Sequence, residues 1–252
     1  DIAVTGFFVL VLLAFVATMN AYVLADKGAG QGIPIPVLIW ALVVGNLIQS
    51  ISTQATAPPT GSALTRIQGG GRTLMPGLID NHVHIALSTT GQADLLSPAI
   101  TADVLQARAT AEARDMLMRG FTSVRDMGGP MLTARPAIDK GELPGPRIYG
   151  SGAMISQTSG HGDSRLPQER SRRFFGEVSK GEQLGANYIA DGRDEVLTAT
   201  RENLRAGATQ IKVMAGGGAA SAYDPLDVSQ YTLDEMKAAV EATHDNGVLK
   251  GV

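Results

Sequence analysis

The chain has 252 residues, 44% of them apolar, which suffices for one large α/β domain or two small ones and excludes low-complexity disorder. With 21 basic against 24 acidic residues the net charge is −3, and no basic field is available for gripping nucleic acid. Cysteine is absent, so disulfide scaffolds, thiolate metal sites and cysteine nucleophiles are excluded, and any metal must be held by histidine, carboxylate or a rarer ligand.

Charge is unevenly spread, since Asp1, Asp26 and Lys27 are the only charged residues before Arg66. Residues 7–25 (FFVLVLLAFVATMNAYVLA) approach the ~20 apolar residues a helix needs to cross a bilayer. A second uncharged run, 33–48 (IPIPVLIWALVVGNLI), is shorter and opens with two prolines. The expectation is a hydrophobic, transmembrane helical segment over 1–49, acting as an anchor or hairpin and giving membrane association through residues 7–48. Two alternatives stay open. The second run, with Lys27 before it and Ala55-Thr56-Ala57 after it, also reads as an export signal, which makes the protein membrane-associated or exported. Otherwise these are buried helices of a cytoplasmic protein, or sequence foreign to the downstream domain. Residues 50–65, rich in Ser, Thr, Ala, Pro and Gly, are expected to be a linker, and 66–252 the principal domain.

From residue 70 onward strand and helix signals alternate. Strands are expected over 74–85, 122–127, 147–155 and 210–215, and helices over 102–119, 132–140, 195–206 and 233–246. Thr232 with Glu235 three residues on forms a capping box for the last helix, and Gly207-Ala208 closes the one before it. This order points to an α/β fold of parallel strands with right-handed crossovers, either doubly wound or a (β/α) barrel. In both, chemistry gathers at the C-terminal strand ends.

His82 and His84 fall at such an end. Residues i and i+2 of an extended chain share a face, so the two imidazoles can meet one metal ion, although a random His-x-His pair is often solvated. Lys212 sits in an apolar strand, where a lysine is ordinarily a snorkelling, salt-bridged or strand-end residue. His161 lies in a glycine-rich loop after the third strand, either solvated or placed to hydrogen-bond a substrate carboxylate or scissile carbonyl. Arg125-Asp126 reads as a structural pair at the second strand end, and His244 as a helix C-terminal histidine. Gly216-Gly217-Gly218 lacks the Lys-Ser/Thr and helix start of a phosphate loop, and suits close backbone approach to a substrate instead.

Residues 71–85 (GRTLMPGLIDNHVHI) closely resemble the first-strand signature of the amidohydrolase superfamily, and the pattern continues through 124–129 (VRDMGG), 146–163 (PRIYGSGAMISQTSGHGD), 208–218 (ATQIKVMAGGG) and Gln230-Tyr231-Thr232. Together these most resemble the imidazolonepropionase-like and Xaa-Pro dipeptidase-like branch, over residues 66–252. The resemblance implies a partial (β/α)8 TIM barrel, about strands 1–4 with their helices. It implies His82 and His84 as metal ligands, with Lys212 as a catalytic ligand whose CO2-derived carbamate bridges two divalent ions, expected to be Zn2+. It places Tyr231 near the substrate, the alternative being a packing residue with a wet hydroxyl.

In resembling enzymes, histidines of strands five and six and an aspartate of strand eight complete the site, and a barrel of eight units needs about 250 residues by itself. The chain is therefore expected to be an inactive fragment of a metal-dependent amidohydrolase acting on dipeptides or N-acyl amino acids. Alternatives are an imidazolonepropionase-type cyclic amide hydrolase, a membrane-anchored non-catalytic protein, and a metal- or partner-binding module that forms homo-oligomers through unpaired strand edges.

Overall fold

The computed structural model describes residues 10–17, 37–44, 47–52, 64–68, 75–95, 97–219, 221 and 223–247. The chain divides into two compact units, Asp1–Pro76 and Gly77–Val252.

The first unit corrects the expectation of hydrophobic helices. Leu10–Ala17 is a strand (β1), as are Val37–Val44 (β2), Leu47–Ser52 (β3) and Leu64–Gln68 (β4), in one sheet of order β3-β2-β1-β4. β1 runs antiparallel to β2, with Leu13 opposite Ala41, and parallel to β4, with Leu12 opposite Arg66; β3 is antiparallel to β2. The physical reason is that a short, wholly apolar run has no period to separate helix from strand, and the β-branched Val11, Val16, Val37, Ile39, Val43 and Val44 favour the pleated alternative. Among the described residues no helix is long and apolar enough to cross a membrane. The expected linker is also displaced, because β3 reaches Ser52 and β4 belongs to this sheet. The rest of both apolar runs and Ala55-Thr56-Ala57 lie outside the described residues.

The second unit is an α/β fold with parallel strands. Its elements are Leu78–Val83 (β5), Ile85–Ser88 (α1), Gln92–Leu95 (α2), Ala102–Met118 (α3), Phe121–Asp126 (β6), a 3-10 turn at Pro130–Thr133, Arg135–Asp139 (α4), Arg147–Gly150 (β7), Met154–Ser156 (β8), Arg172–Phe175 (α5), Lys180–Gln183 (α6), Asn187–Ile189 (β9), Arg193–Arg205 (α7) and Leu233–Asp245 (α8). β5, β6 and β7 form a parallel sheet, and β8 and β9 a second parallel pair. The expected third strand is broken at Ser151–Ala153 by a bend with Gly152 at φ +73°. Asn203 of α7 braces this bend, accepting from the Ala153 amide at 3.0 Å and donating to the Ala153 carbonyl at 2.8 Å. The expected fourth strand is reduced to one parallel bridge, Val213 with Ile155. The Ile155 amide donates to the Lys212 carbonyl and the Met214 amide to the Ile155 carbonyl, both at 2.9 Å, so Lys212 lies on a segment laid alongside β8.

Helices cover the strands by ordinary amphipathic logic. Leu105, Ala109, Ala113 and Met116 form the buried stripe of α3 and meet Val124 and Ile148 of the sheet. A second cluster joins Ile155, Val196 and Ala199 to Ala238 and Ala239 of α8, and the Thr232–Glu235 capping box opens α8 as expected.

Candidate active site at the strand ends

β5 delivers His82 and His84 to its C-terminal edge. Their ring centroids are 5.4 Å apart with planes tilted by 54°, a separation that lets one nitrogen of each ring reach a shared ion at the usual Zn–N distance of roughly 2.0–2.1 Å. His82 is exposed. His84 is half-buried, and its Nδ1 faces the Gly128 carbonyl at 3.4 Å, which assigns the hydrogen to Nδ1 and leaves Nε2 open. Burial lowers the His84 pKa first, against the opposing Gly128 bond, and the charges of His82 and Lys212 lower it further. An imidazole so biased toward neutrality is a better ligand than a solvated one.

The backbone on either side of His84 is clamped by β6. The Met127 amide donates to the Val83 carbonyl at 2.8 Å, and the Ile85 amide donates to Asp126 Oδ1 at 3.1 Å. Gly128 permits the approach, since a Cβ there would stand 2.4 Å from Met154 Cγ and 3.3 Å from His84 Nδ1. Arg125 and Asp126 do not pair with each other. Arg125 donates to Gln210 Oε1 at 2.7 Å, linking β6 to the Lys212 segment, while Asp126 turns inward to the His84 clamp.

Lys212 has a pKa lowered by burial first and by the Arg125 charge second. Its own charge reaches His84, so the two belong to one electrostatic neighbourhood. His82, His84 and His161 face a common cavity of about 810 Å³ whose apolar wall includes Met116, Met154 and Met214. Among the described residues no three His, Cys, Asp or Glu side chains stand close enough to hold a metal ion together. The candidate donors to one ion are the two imidazoles; Lys212 is linked to His84 through its charge and is not among the residues lining the cavity.

His161 is held by a network that the sequence did not announce. Its Nδ1 lies 2.9 Å from Ser221 Oγ and 3.4 Å from Asp224 Oδ2, and its amide donates to Gln230 Oε1 at 2.9 Å. The loop bearing it is pinned by buried Asp163, which accepts from the Ser159 amide at 2.8 Å and takes the Arg165 guanidinium through both oxygens, at 2.8 and 2.6 Å. The glycine run serves this loop: a Cβ at Gly218 would stand 1.9 Å from His161 Cε1, and one at Gly217 would stand 1.8 Å from the Pro225 carbonyl oxygen. What approaches these glycines closely is the protein's own loop.

Tyr231 is not brought into the cavity. It adopts φ +66°, its amide donates to Gln157 Oε1 at 2.6 Å, its hydroxyl donates to the Ala190 carbonyl at 2.9 Å, and burial raises its phenol pKa. It packs against the Ile155 cluster. His244 occupies the last turn of α8, as expected.

Parallel strands that present imidazoles at their C-terminal edge, above a shared cavity, define the amidohydrolase-like class of α/β enzymes. The Amidohydrolase family model matches residues 73–250, and the chain belongs to that family. It is 35% identical over 207 residues to ochratoxinase of Aspergillus niger, covering 80% of this chain and 43% of that protein. Among solved structures it is similar to a prolidase complexed with N-methylphosphonate-L-proline (30% identity, TM-score 0.74) and to a Xaa-Pro dipeptidase with bound methionine (26% identity, TM-score 0.66). Each covers 94% of this chain and 54% of the other. The chain therefore spans about half the length of the relatives it matches.

Proposed function

We propose that this chain carries the first metal-binding half of a hydrolase that cleaves amide C–N bonds of dipeptides or N-acyl amino acids. The observation that carries the reading is the pair His82 and His84, 5.4 Å apart at the end of β5 and facing the same cavity as His161. Bound there, a divalent ion such as Zn2+ would polarise a substrate carbonyl and acidify water. His82 and His84 would hold it through ring nitrogens, that of His84 biased toward the neutral form by burial. Lys212, with its ammonium form disfavoured, supplies a neutral amine whose lone pair can add to CO2 and release a proton, leaving an anionic carbamate ligand. His161 is placed to meet the substrate carboxylate or carbonyl. The hydroxyl of Tyr231 donates to the Ala190 carbonyl, which supports a packing role for that residue.

A partial barrel accounts for a second feature. Ile79 is 71% exposed and Tyr149 45% exposed, and both line a groove with Arg125 and Gln210, on the strand face that a closed barrel turns inward. With at most two imidazoles and one lysine proposed as donors, we expect slow or no turnover from this chain alone. Binding is therefore the sharper test. Calorimetry of the zinc-loaded chain with N-methylphosphonate-L-proline should show zinc-dependent binding that is lost in His84→Ala. Absence of binding to the zinc-loaded chain, or equal binding by the variant, would refute the reading.

A further inference from the structure

We infer that Asp224 and Ser221 act as positioning residues that fix His161 in the tautomer protonated at Nδ1, so that Nε2 alone meets a molecule bound in the cavity. The inference rests on the proposed function for what Nε2 meets, but not for the tautomer.

A neutral imidazole has one N–H and one lone pair. Ser221 Oγ donates its hydrogen to the Gly218 carbonyl at 2.9 Å, so toward His161 it offers only lone pairs. Asp224 Oδ2 is an acceptor already, taking the Gly218 amide at 2.9 Å and Gln230 Nε2 at 3.1 Å. Both groups face the same ring nitrogen, Nδ1, at 2.9 and 3.4 Å. Two acceptors at one nitrogen are satisfied only if that nitrogen carries the hydrogen, shared between them.

The arrangement is closed on itself. Gln230 accepts from the His161 amide and donates to Asp224, while Asp224 faces the His161 ring. The Asp224 side chain is 1% exposed, so its charge acts at short range without solvent between. The Gly218 backbone, which holds both Asp224 and Ser221, lies close against the Cε1–Nδ1 edge of the ring. The same geometry excludes a serine nucleophile. Such a relay needs the hydroxyl on one ring nitrogen and the carboxylate on the other, and here they share Nδ1.

The test is tautomer assignment by two-bond 1H–15N correlation on the metal-free, 15N-labelled full chain, at a pH high enough for neutral imidazoles. There are four histidines, and the signal lost in His161→Gln assigns the one required. The expected result is the Nδ1–H pattern in the parent chain and in Asp224→Asn, whose carboxamide oxygen can still accept. The double variant Asp224→Leu with Ser221→Ala should lose that pattern in favour of Nε2–H, the form free imidazole side chains prefer. Gly218→Ala, whose methyl would stand 1.9 Å from His161 Cε1 and displace the ring while both acceptor side chains are kept, should lose it too and serves if the double variant does not fold. An Nε2–H pattern in the parent chain, or an unchanged Nδ1–H pattern in both the double variant and Gly218→Ala, would overturn the inference. Failure of zinc to bind at His82 and His84 would leave this readout untouched, so the two readings fail separately.

Discussion

The Ile85 amide donates to Asp126 Oδ1 at 3.1 Å, and the second oxygen of that carboxylate is buried without a hydrogen-bond partner among the described residues. A carboxylate so enclosed resists ionisation, and burial raises the Asp126 pKa to about 7 from an ordinary 3.8, against the opposing Ile85 bond.

Between those two values the native chain keeps a proton that the unfolded chain releases. Stability from this group is thus fully present below the lower value and is lost as pH rises toward about 7, by a few kcal/mol at most. Urea midpoints should fall between about pH 5 and about pH 7.5 in the parent chain, and this component should vanish in Asp126→Asn.

The Lys212 charge depresses the His84 pKa, so Lys212→Met should raise it, and NMR titration of the metal-free chain reads the shift. Arg125→Gln should raise the Lys212 pKa by the same reasoning, one step further along the strand ends. An unmoved His84 titration in Lys212→Met would separate the two residues.

Gly128→Ala places a methyl 2.4 Å from Met154 Cγ and near the nitrogen that anchors His84. Loss of this support should weaken zinc affinity roughly 10–100-fold, as for other residues that orient a metal ligand. Competition with a chromophoric chelator measures it.

Ile155→Ala should cost about 2–5 kcal/mol, because Ile155 is fully buried between α7, α8 and the Lys212 segment. Denaturant titration gives the value, and a cost under about 1 kcal/mol would show that the site can collapse around the loss.

The second unit was legible because its signals were redundant. The α3 stripe, the Thr232 capping box and the His-x-His strand end each rest on spacing that only one local structure satisfies. The first unit was misread because Leu10–Ala17 and Val37–Val44 are apolar throughout, and alternation, the mark of a strand, cannot show where every position is apolar. Lys212 was legible only through its motif, since a strand lysine alone says little. Asp224 and Ser221 left no mark, because they sit in a polar loop and matter only through its path back to His161. Tyr231 is ambiguous in sequence, and its φ of +66° and bond to Ala190 are features that spacing alone does not show.

The most direct measurement is zinc content after equilibrium dialysis of the purified chain in bicarbonate buffer, compared across the parent, His82→Ala, His84→Ala and Lys212→Met. Retention by the parent, loss in both histidine variants and weakened retention in the lysine variant are predicted. A parent that holds no zinc, or histidine variants that hold as much as the parent, would contradict a metal site at the end of β5.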